Sequence, residues 1–386
     1  MYCRFGMSPC IISKKDKEAI ETLRKAVKDM LTPYYDTDFN LLRWLQGHNY
    51  NFDVIIPKLK NHLLLRNSWD LDNLASKPRN HPLHTYWKAG LTGPAIKTPN
   101  IIVNIEQTGR NDYWGMIQTF SSSEIMFART HDLELFLRQI MEMEEKTGQQ
   151  ASVMYIMDLT DLKFDKRLLT LLTGPLANIS TFMSEHYVEM IHKFALVNVP
   201  SFMATIWTIV KPLLPDRTRQ KVSIFGSNWK TEIQNLAVPE VLPVFWNDDK
   251  IKVFKAKLEL AQPLDPRQHY KKEVDERSKV LSVGAGKTGT IDVNAKKGSV
   301  IRWCFHTDGY FAFSILYVDD QSREDSNSPI NIYPVLTKMP GPTIVPIKDE
   351  IKCDKSGTYQ IWFSNEHAWL HTLNIHYLID VESENE

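Results

Sequence analysis

The sequence has 386 residues, of which 43% are hydrophobic and 24% charged. This length exceeds the size at which a single core stops growing, so we expect two or three domains, and the composition excludes wholesale disorder. Lys plus Arg total 46 and Asp plus Glu total 46, a balance that gives no net attraction to nucleic acid.

The cysteines and the longest apolar runs indicate the compartment. The four cysteines (Cys3, Cys10, Cys304 and Cys353) form no CxxC pair, which predicts neither a disulfide framework nor a metal site. No run approaches the ~20 apolar residues of a membrane span, and the start lacks a signal-peptide h-region. We therefore expect a soluble, cytoplasmic protein.

Residues 13–75 predict a helical N-terminal unit. Ile20, Leu23 and Val27 fall at helical spacing, as do Ile56 and Leu59 further along. Pro33 and Gly47 lie outside these periodic stretches and break them, so several short helices are expected.

Residues 80–248 predict an α/β domain with a mostly parallel sheet, because β-like runs alternate with helical stretches. One long helix is predicted to begin after the capping box Ser121-x-x-Glu124 and to run to about Lys146. The β-like runs are IIVNIE, YWGMIQTF, SVMYIMDL, FALVNV and KVSIFG.

The rest of the chain predicts a linker and a third domain. Residues 249–277 are polar and contain prolines, which is typical of a linker. Residues 278–382 predict an antiparallel β-sandwich, because alternating runs recur with turn residues between them. Those runs are TIDVNA, SVIRWCF, YFAFSILYV, TYQIWFS and LNIHYLI.

The most informative segment is SFMATIWTIVKPLLP, which begins at Ser201. On a helix from Ser201 to Leu214 apolar residues would cover more than half of the circumference, so both sides need cover. Two interpretations remain open. The segment is either an ordinary buried core helix or a lid with one face on an apolar cavity.

The words NVPSF, WTIVKPLL and TRQK follow one another within residues 192–246. This order resembles the signature of CRAL-TRIO lipid-transfer domains, N-x-P-x-x-F…W-x-x-V-K-P-x-L…T-R-x-K. Other motifs of that family are similar to the stretches IEQTGRNDYW, MDLTDL and LLRWLQGHNYNFDV. The stretches KGSVIRWCFHTDGYFAFSILY and SGTYQIWFSNEHAWLHTLNIHY are similar to GOLD domains. The resemblance implies a bound hydrophobic lipid, a mobile gating helix and a GOLD β-sandwich that docks to partner proteins or to Golgi or other membranes.

The resemblance also implies which residues form the pocket and its gate. Strand residues of one parity would line the cavity, although each one fits ordinary sheet core equally well. The candidate pocket and gate residues are Trp114, Met116, Met154, Ile156, Phe202, Ile206, Ile209, Val210 and Leu213.

For the lipid head group, the matching positions are Glu189 in HYVE and Thr218 and Lys221 in TRQK. The family's basic pair is absent, because WLQGHNYNFDV offers Gln46 and His48 where cations would meet a phosphate. Phosphatidylinositol selectivity is therefore not implied, and an ordinary ion pair between Glu189 and Lys221 is the alternative.

Other functional classes lack support in the sequence. No GxSxG elbow appears, and Asp158 and Asp161 lack a supporting histidine or metal motif, so no enzyme activity or cofactor is expected. His367 and His371 on a strand are too far apart for one metal and predict surface or partner-contact roles. We expect a lipid carrier, and the alternative is an interaction scaffold that uses the GOLD domain and has a degenerate pocket.

Overall fold

The computed structural model describes residues 12–214, 216–272, 276–318 and 330–383, without the side chain of Leu213. The α-helices are α1 (Lys14–Ala26), α2 (Asp38–Gly47), α3 (Phe52–Ser68), α4 (Leu71–Leu74), α5 (Tyr113–Thr119), α6 (Ser122–Thr147), α7 (Lys166–Thr173), α8 (Pro175–His186), α9 (Met203–Val210), α10 (Asp216–Lys221) and α11 (Trp229–Ile233). The strands are β1 (Leu91–Pro94), β2 (Ile101–Glu106), β3 (Ser152–Asp158), β4 (Ile191–Val197), β5 (Val222–Ile224), β6 (Lys279–Val283), β7 (Thr288–Ala295), β8 (Val300–Thr307), β9 (Phe311–Val318), β10 (Ile330–Met339), β11 (Ile347–Lys352), β12 (Gly357–Ser364) and β13 (Leu373–Glu382).

The described part of the chain divides into two compact units. Among the described residues, the first comprises 12–60, 71–113 and 128–264, and the second comprises 61–70, 114–127 and 265–383. Asn61 shows why a helical segment groups with the C-terminal strands: its side chain bonds both the N–H and the carbonyl of Val335, at 2.9 and 3.3 Å.

The first unit contains a five-stranded sheet in the order β1-β2-β3-β4-β5. Strands β2 to β5 pair in parallel and β1 pairs antiparallel with β2 at the edge, which confirms the predicted mostly parallel sheet. One sheet face packs against α11 and the chain that follows it, with Trp229, Ile233 and Trp246 in its core. Helices on both faces bury the central strands, as parallel sheets require.

The predicted helical N-terminal region is confirmed. Ser13 caps α1 in a capping box with Asp16, so exposed N–H groups at the helix start are satisfied. Arg43 of α2 forms a buried ion pair with Glu144 of α6 and also donates to the carbonyl of Ala151 at 2.8 Å. These contacts fasten α2 to the end of α6 and to the start of β3.

The capping box before α6 is confirmed, whereas the β-like run before it is corrected. Ser121 N–H donates to Glu124 at 2.8 Å and the Glu124 N–H donates to the Ser121 hydroxyl at 3.2 Å. The run YWGMIQTF is helix α5, not a strand, with Met116 and Phe120 buried four residues apart. A run this short fits the helical period as well as strand alternation.

The predicted linker is not a free connection over its first half. Residues 249–264 belong to the first unit, and Phe254 is buried in the same core as Trp246. The Gln107 side chain donates to the carbonyl of Glu259 at 2.8 Å and accepts from the N–H of Ala261 at 3.1 Å. Because a side chain satisfies this backbone, a polar, proline-containing sequence can lie fixed on the domain surface.

The C-terminal part forms two four-stranded antiparallel sheets, which confirms the predicted β-sandwich. Their strand orders are β10-β9-β12-β7 and β11-β8-β13-β6. Phe305, Phe313 and Phe363 pack edge to face or tilted between the sheets, with ring centroids 5.0–5.3 Å apart. Aromatic packing of this kind fills the core of the sandwich.

Within the described ranges, no helix is both long and apolar enough to cross a bilayer. Over those same residues, no cluster of three or more His, Cys, Asp or Glu side chains is arranged to hold a metal ion.

Candidate functional site

The apolar segment that begins at Ser201 forms α9 followed by a 3-10 turn, Lys211–Leu213. Ile206 faces inward with 1% of its surface exposed, whereas Ile209 on the same helix is 40% exposed. Phe202 and Val210 pack against the inner face and are only partly buried. The helix therefore has a covered apolar side and an open side on which Ile209 is exposed beside Thr205 and Thr208.

The inner face of α9 packs on the sheet face opposite to α11. Its cluster contains Leu196 and Phe194 of β4 and Met157 of β3. Side chains of α7, which are Leu168, Leu169 and Leu172, complete the cluster. In this arrangement the inner side chains of α9 rest directly on those of β4 and α7.

The structure does not bring Met154 and Ile156 to α9. Both lie in the core cluster with Trp229, on the other face of the sheet. Because β3 is buried on both faces, its residues are apolar at nearly every position, and alternation of the sequence does not reveal which parity faces α9. The β3 side chains on the same sheet face as Phe194 are those of Tyr155 and Met157. Tyr155 contacts the Phe194 ring, and Met157 packs in the cluster that contains Phe194.

Trp114 and Met116 belong to α5 and to the second compact unit. The described structure gives no side-chain surroundings for Leu213. Of the candidate pocket and gate residues, Phe202, Ile206 and Val210 come together in one cluster, and Ile209 points away from it.

The candidate head-group residues Glu189 and Lys221 are in contact. Glu189, between α8 and β4, accepts from Lys221 Nζ at 2.8 Å, and its backbone adopts a positive φ of 53°, which is uncommon for Glu. Arg217 donates to the other Glu189 oxygen at 2.9 Å. Thr218 follows Arg217 on the half-buried side of α10. Two cations thus converge on one carboxylate.

Arg217 reaches the region where the family's basic pair is missing. Its guanidinium donates to the backbone carbonyl of Gln46 at 2.7 Å and also bonds the Asn49 side chain. Burial opposes ionisation of Glu189, but Lys221 and Arg217 outweigh it and hold the pKa of that carboxyl below its ordinary value. The resemblance did not identify Arg217, because this residue lies one position before the TRQK motif at 218–221.

Residues 98–247 match the family model described as CRAL/TRIO domain. The chain contains a CRAL/TRIO domain. Residues 264–386 match a model described as F28H7_8_C:-like, C-terminal domain, and residues 12–74 match a domain of unknown function, DUF8435. The three matches follow one another along the chain.

Two Caenorhabditis elegans proteins are similar over nearly the whole chain. The CRAL-TRIO domain-containing protein F28H7.8 is 27% identical over 383 residues, covering 95% of this chain and 90% of its own. Protein ctg-1 is 22% identical over 383 residues, covering 95% of this chain and 96% of its own. The phosphatidylinositol/phosphatidylcholine transfer protein SFH9 of Arabidopsis thaliana is 19% identical over 253 residues, 60% of this chain and 41% of its own.

The CRAL/TRIO domain also contains a buried polar network that the sequence did not reveal. Glu106 accepts from the hydroxyls of Tyr113 and Tyr155 at 2.9 and 2.8 Å, and Arg129 donates to the Tyr155 hydroxyl at 3.0 Å. Burial and the neighbouring Glu106 raise the pKa of both tyrosines well above the ordinary value. The guanidinium lies 4.3 Å from the Trp87 ring centroid.

This network occupies the same sheet face as the cluster around α9, since Tyr155 also contacts Phe194 at 5.7 Å. This part of the face is therefore polar, with Glu106, Tyr155 and Arg129 bonded to one another, whereas the part beneath α9 is apolar. Residues 106, 129 and 155 are distant in sequence, and no local motif predicts their meeting.

Proposed function

We propose that the protein binds a hydrophobic lipid, either a phospholipid or an isoprenoid-like molecule, on the sheet face covered by α9. It transfers or presents this lipid between membranes without covalent chemistry, and it is a carrier and not an enzyme. The observation that carries the proposal is the position of α9 in a CRAL/TRIO domain. This helix covers an apolar sheet face with Ile206 while Ile209 remains exposed.

The physical reason for a covering helix is the cost of moving an acyl chain through water. Each exposed methylene costs about 0.8 kcal/mol, so a carrier must enclose many of them. Displacing α9 would uncover Leu196, Phe194 and Met157, an apolar face suited to hydrocarbon. At a membrane the displaced helix meets an apolar partner, and opening there is less costly than in water.

For the head group, we propose that Arg217 and Lys221 bind the phosphate and that Glu189 and Thr218 bind hydroxyl groups of the head group beside it. A phosphate would compete with Glu189 for both cations through charge-assisted hydrogen bonds. Arg217 supplies the charge that Gln46 and His48 do not. The name of the similar plant protein, a phosphatidylinositol/phosphatidylcholine transfer protein, supports a phospholipid as cargo.

Native mass spectrometry of the purified full chain, with identification of the bound lipid, tests the carrier. We expect one lipid per chain, and a chain that carries none from its own cells would refute the proposal. Arg217→Gln with Lys221→Gln should remove phosphorylated lipids from the bound fraction. Arg219→Gln is the matched control, because Arg219 lies on the same helix and pairs with Asp216 instead.

The alternative is an interaction scaffold with a degenerate pocket, and the direct packing of α9 on β4 and α7 is the observation that favours it. An empty chain in the mass spectrum would select this alternative. In either case we propose that the C-terminal sandwich, through its resemblance to GOLD domains, docks to partner proteins or membranes. We place the protein in the cytoplasm, with peripheral association with Golgi or other membranes.

A further inference from the structure

The loop between β12 and β13, residues 365–372, exposes two adjacent large apolar side chains. Trp369 is 93% exposed and Leu370 is 95% exposed. A tryptophan side chain is usually largely buried. Leaving Trp369 and Leu370 in water loses the favourable free energy that burial of their apolar surface would give. We call this segment the Trp369 loop. It lies outside residues 98–247, so the lipid site of the CRAL/TRIO domain does not account for it.

The Trp369 loop is anchored at both ends. Asn365 is fully buried, and its side chain donates to the carbonyls of Val283 and His371 at 3.0 and 2.8 Å. The Asn365 N–H donates to the Lys287 carbonyl at 2.9 Å. His371 Nε2 lies 3.1 Å from a carboxylate oxygen of Asp308. The fold therefore holds the tip in a defined position, which lowers the entropic cost of binding.

The surroundings of the loop carry further apolar and cationic groups. Lys287 is exposed in the turn that bonds Asn365, and exposed Lys338 lies 5.8 Å from the Tyr310 ring centroid. The Tyr310 ring contacts the ring of His367 at 6.4 Å. Both exposed lysines are thus linked to the Trp369 loop, Lys287 through Asn365 and Lys338 through Tyr310 and His367.

The nearby carboxylates are already engaged within the loop region. Asp308 accepts from the N–H and the side chain of Asn374 at 2.9 and 2.7 Å, besides its contact with His371. Glu366 accepts from the Ser364 hydroxyl at 2.8 Å. Asp308 and Glu366 thus accept from donors of the protein itself, whereas no side-chain acceptor among the described residues pairs with Lys287 or Lys338; all four side chains are exposed.

We propose that the Trp369 loop docks the protein to a lipid bilayer that contains anionic head groups. Trp369 and Leu370 enter the interface and Lys287 and Lys338 meet the head groups. An indole suits the boundary between head groups and acyl chains, and lysines near an anionic surface add attraction. A tip that projects into solvent needs no shaped cavity in its partner, which favours a bilayer over a protein. This inference rests on the docking role proposed for the C-terminal sandwich, and it names the partner as a bilayer.

The test measures partition of the full chain onto phosphatidylcholine vesicles with and without phosphatidylserine. Replacing both Trp369→Ser and Leu370→Ser should lower partition by about tenfold or more, since each side chain loses an apolar burial term. Lys287→Gln with Lys338→Gln should lower partition only on the vesicles with phosphatidylserine. Val280→Ser, at a 54% exposed position of β6, is the matched control and should leave partition unchanged.

The Trp369 and Leu370 replacements should leave the melting temperature unchanged, because neither side chain is packed. Copurified lipid should also stay unchanged, which separates the two proposals. If lipid is bound but the Trp369→Ser and Leu370→Ser replacements leave vesicle partition unchanged, the bilayer inference is overturned in favour of a protein partner. If no lipid is bound but partition depends on Trp369, the carrier proposal fails and the docking inference stands.

Discussion

A matched pair of substitutions on α9 tests whether this helix is a gate. Ile206 is 1% exposed in the cluster with Leu196 and Met203, whereas Ile209 is 40% exposed three residues further along. An aspartate at either position changes the helix propensity and the charge in the same way. The two variants therefore differ mainly in what the new carboxylate must displace.

The expected magnitudes follow from this difference in burial. Ile206→Asp loses about 2–5 kcal/mol of packing and adds the cost of desolvating a carboxylate, so the closed state weakens by about a hundredfold or more. Ile209→Asp removes a half-exposed side chain and should cost below about 1 kcal/mol. Because α9 is one short helix, the loss at Ile206 is expected to open the gate locally and leave the sheet folded.

The assay combines mass spectrometry of copurified lipid with hydrogen exchange of the amides of α9. Ile206→Asp should lose the lipid and its α9 amides should exchange fast, while β3 and β4 stay protected. Ile209→Asp should retain both the lipid and the protection. Equal lipid retention in the two variants would refute the gate, and unfolding of the sheet in Ile206→Asp would show that α9 is ordinary core.

Three further predictions concern stability. Arg43→Met leaves Glu144 buried without its cation and should cost about 3–5 kcal/mol in urea unfolding, with much of the loss recovered in the double variant Arg43→Met with Glu144→Met. Burial lowers the pKa of His186 to about 3, so the folded state keeps this imidazole neutral. Below about pH 6.5 the unfolded state binds a proton that the folded state does not, and the free energy of unfolding should fall by up to about 1.4 kcal/mol per pH unit. His186→Gln should reduce this slope in thermal melts between about pH 3 and 6.5. Met154→Ala should cost about 2–5 kcal/mol in denaturant yet leave the bound lipid unchanged, and lost loading in a folded protein would place Met154 in the lipid site after all.

Local signals predicted much of the fold. The box of Ser121 and Glu124 predicted the start of α6, because its hydrogen bonds lie within four residues. Alternating apolar runs predicted β7, β8, β9, β12 and β13, because each has one face in the sandwich core. The run YWGMIQTF was wrongly predicted as a strand for the same local reason, since an eight-residue run with buried Met116 and Phe120 four apart fits both the helical and the strand period.

The sequence alone determined that a short apolar helix follows β4 and that a CRAL/TRIO-like order of motifs surrounds it, because such patterns depend on neighbours along the chain. Only the tertiary structure decided that Met157, and not Ile156, packs in the cluster with α9, since parity depends on which helices cover each sheet face. It also brought Arg217 to Glu189 across 28 positions of sequence. Contacts between distant residues arise from the packing of whole elements, and a single sequence does not record that packing.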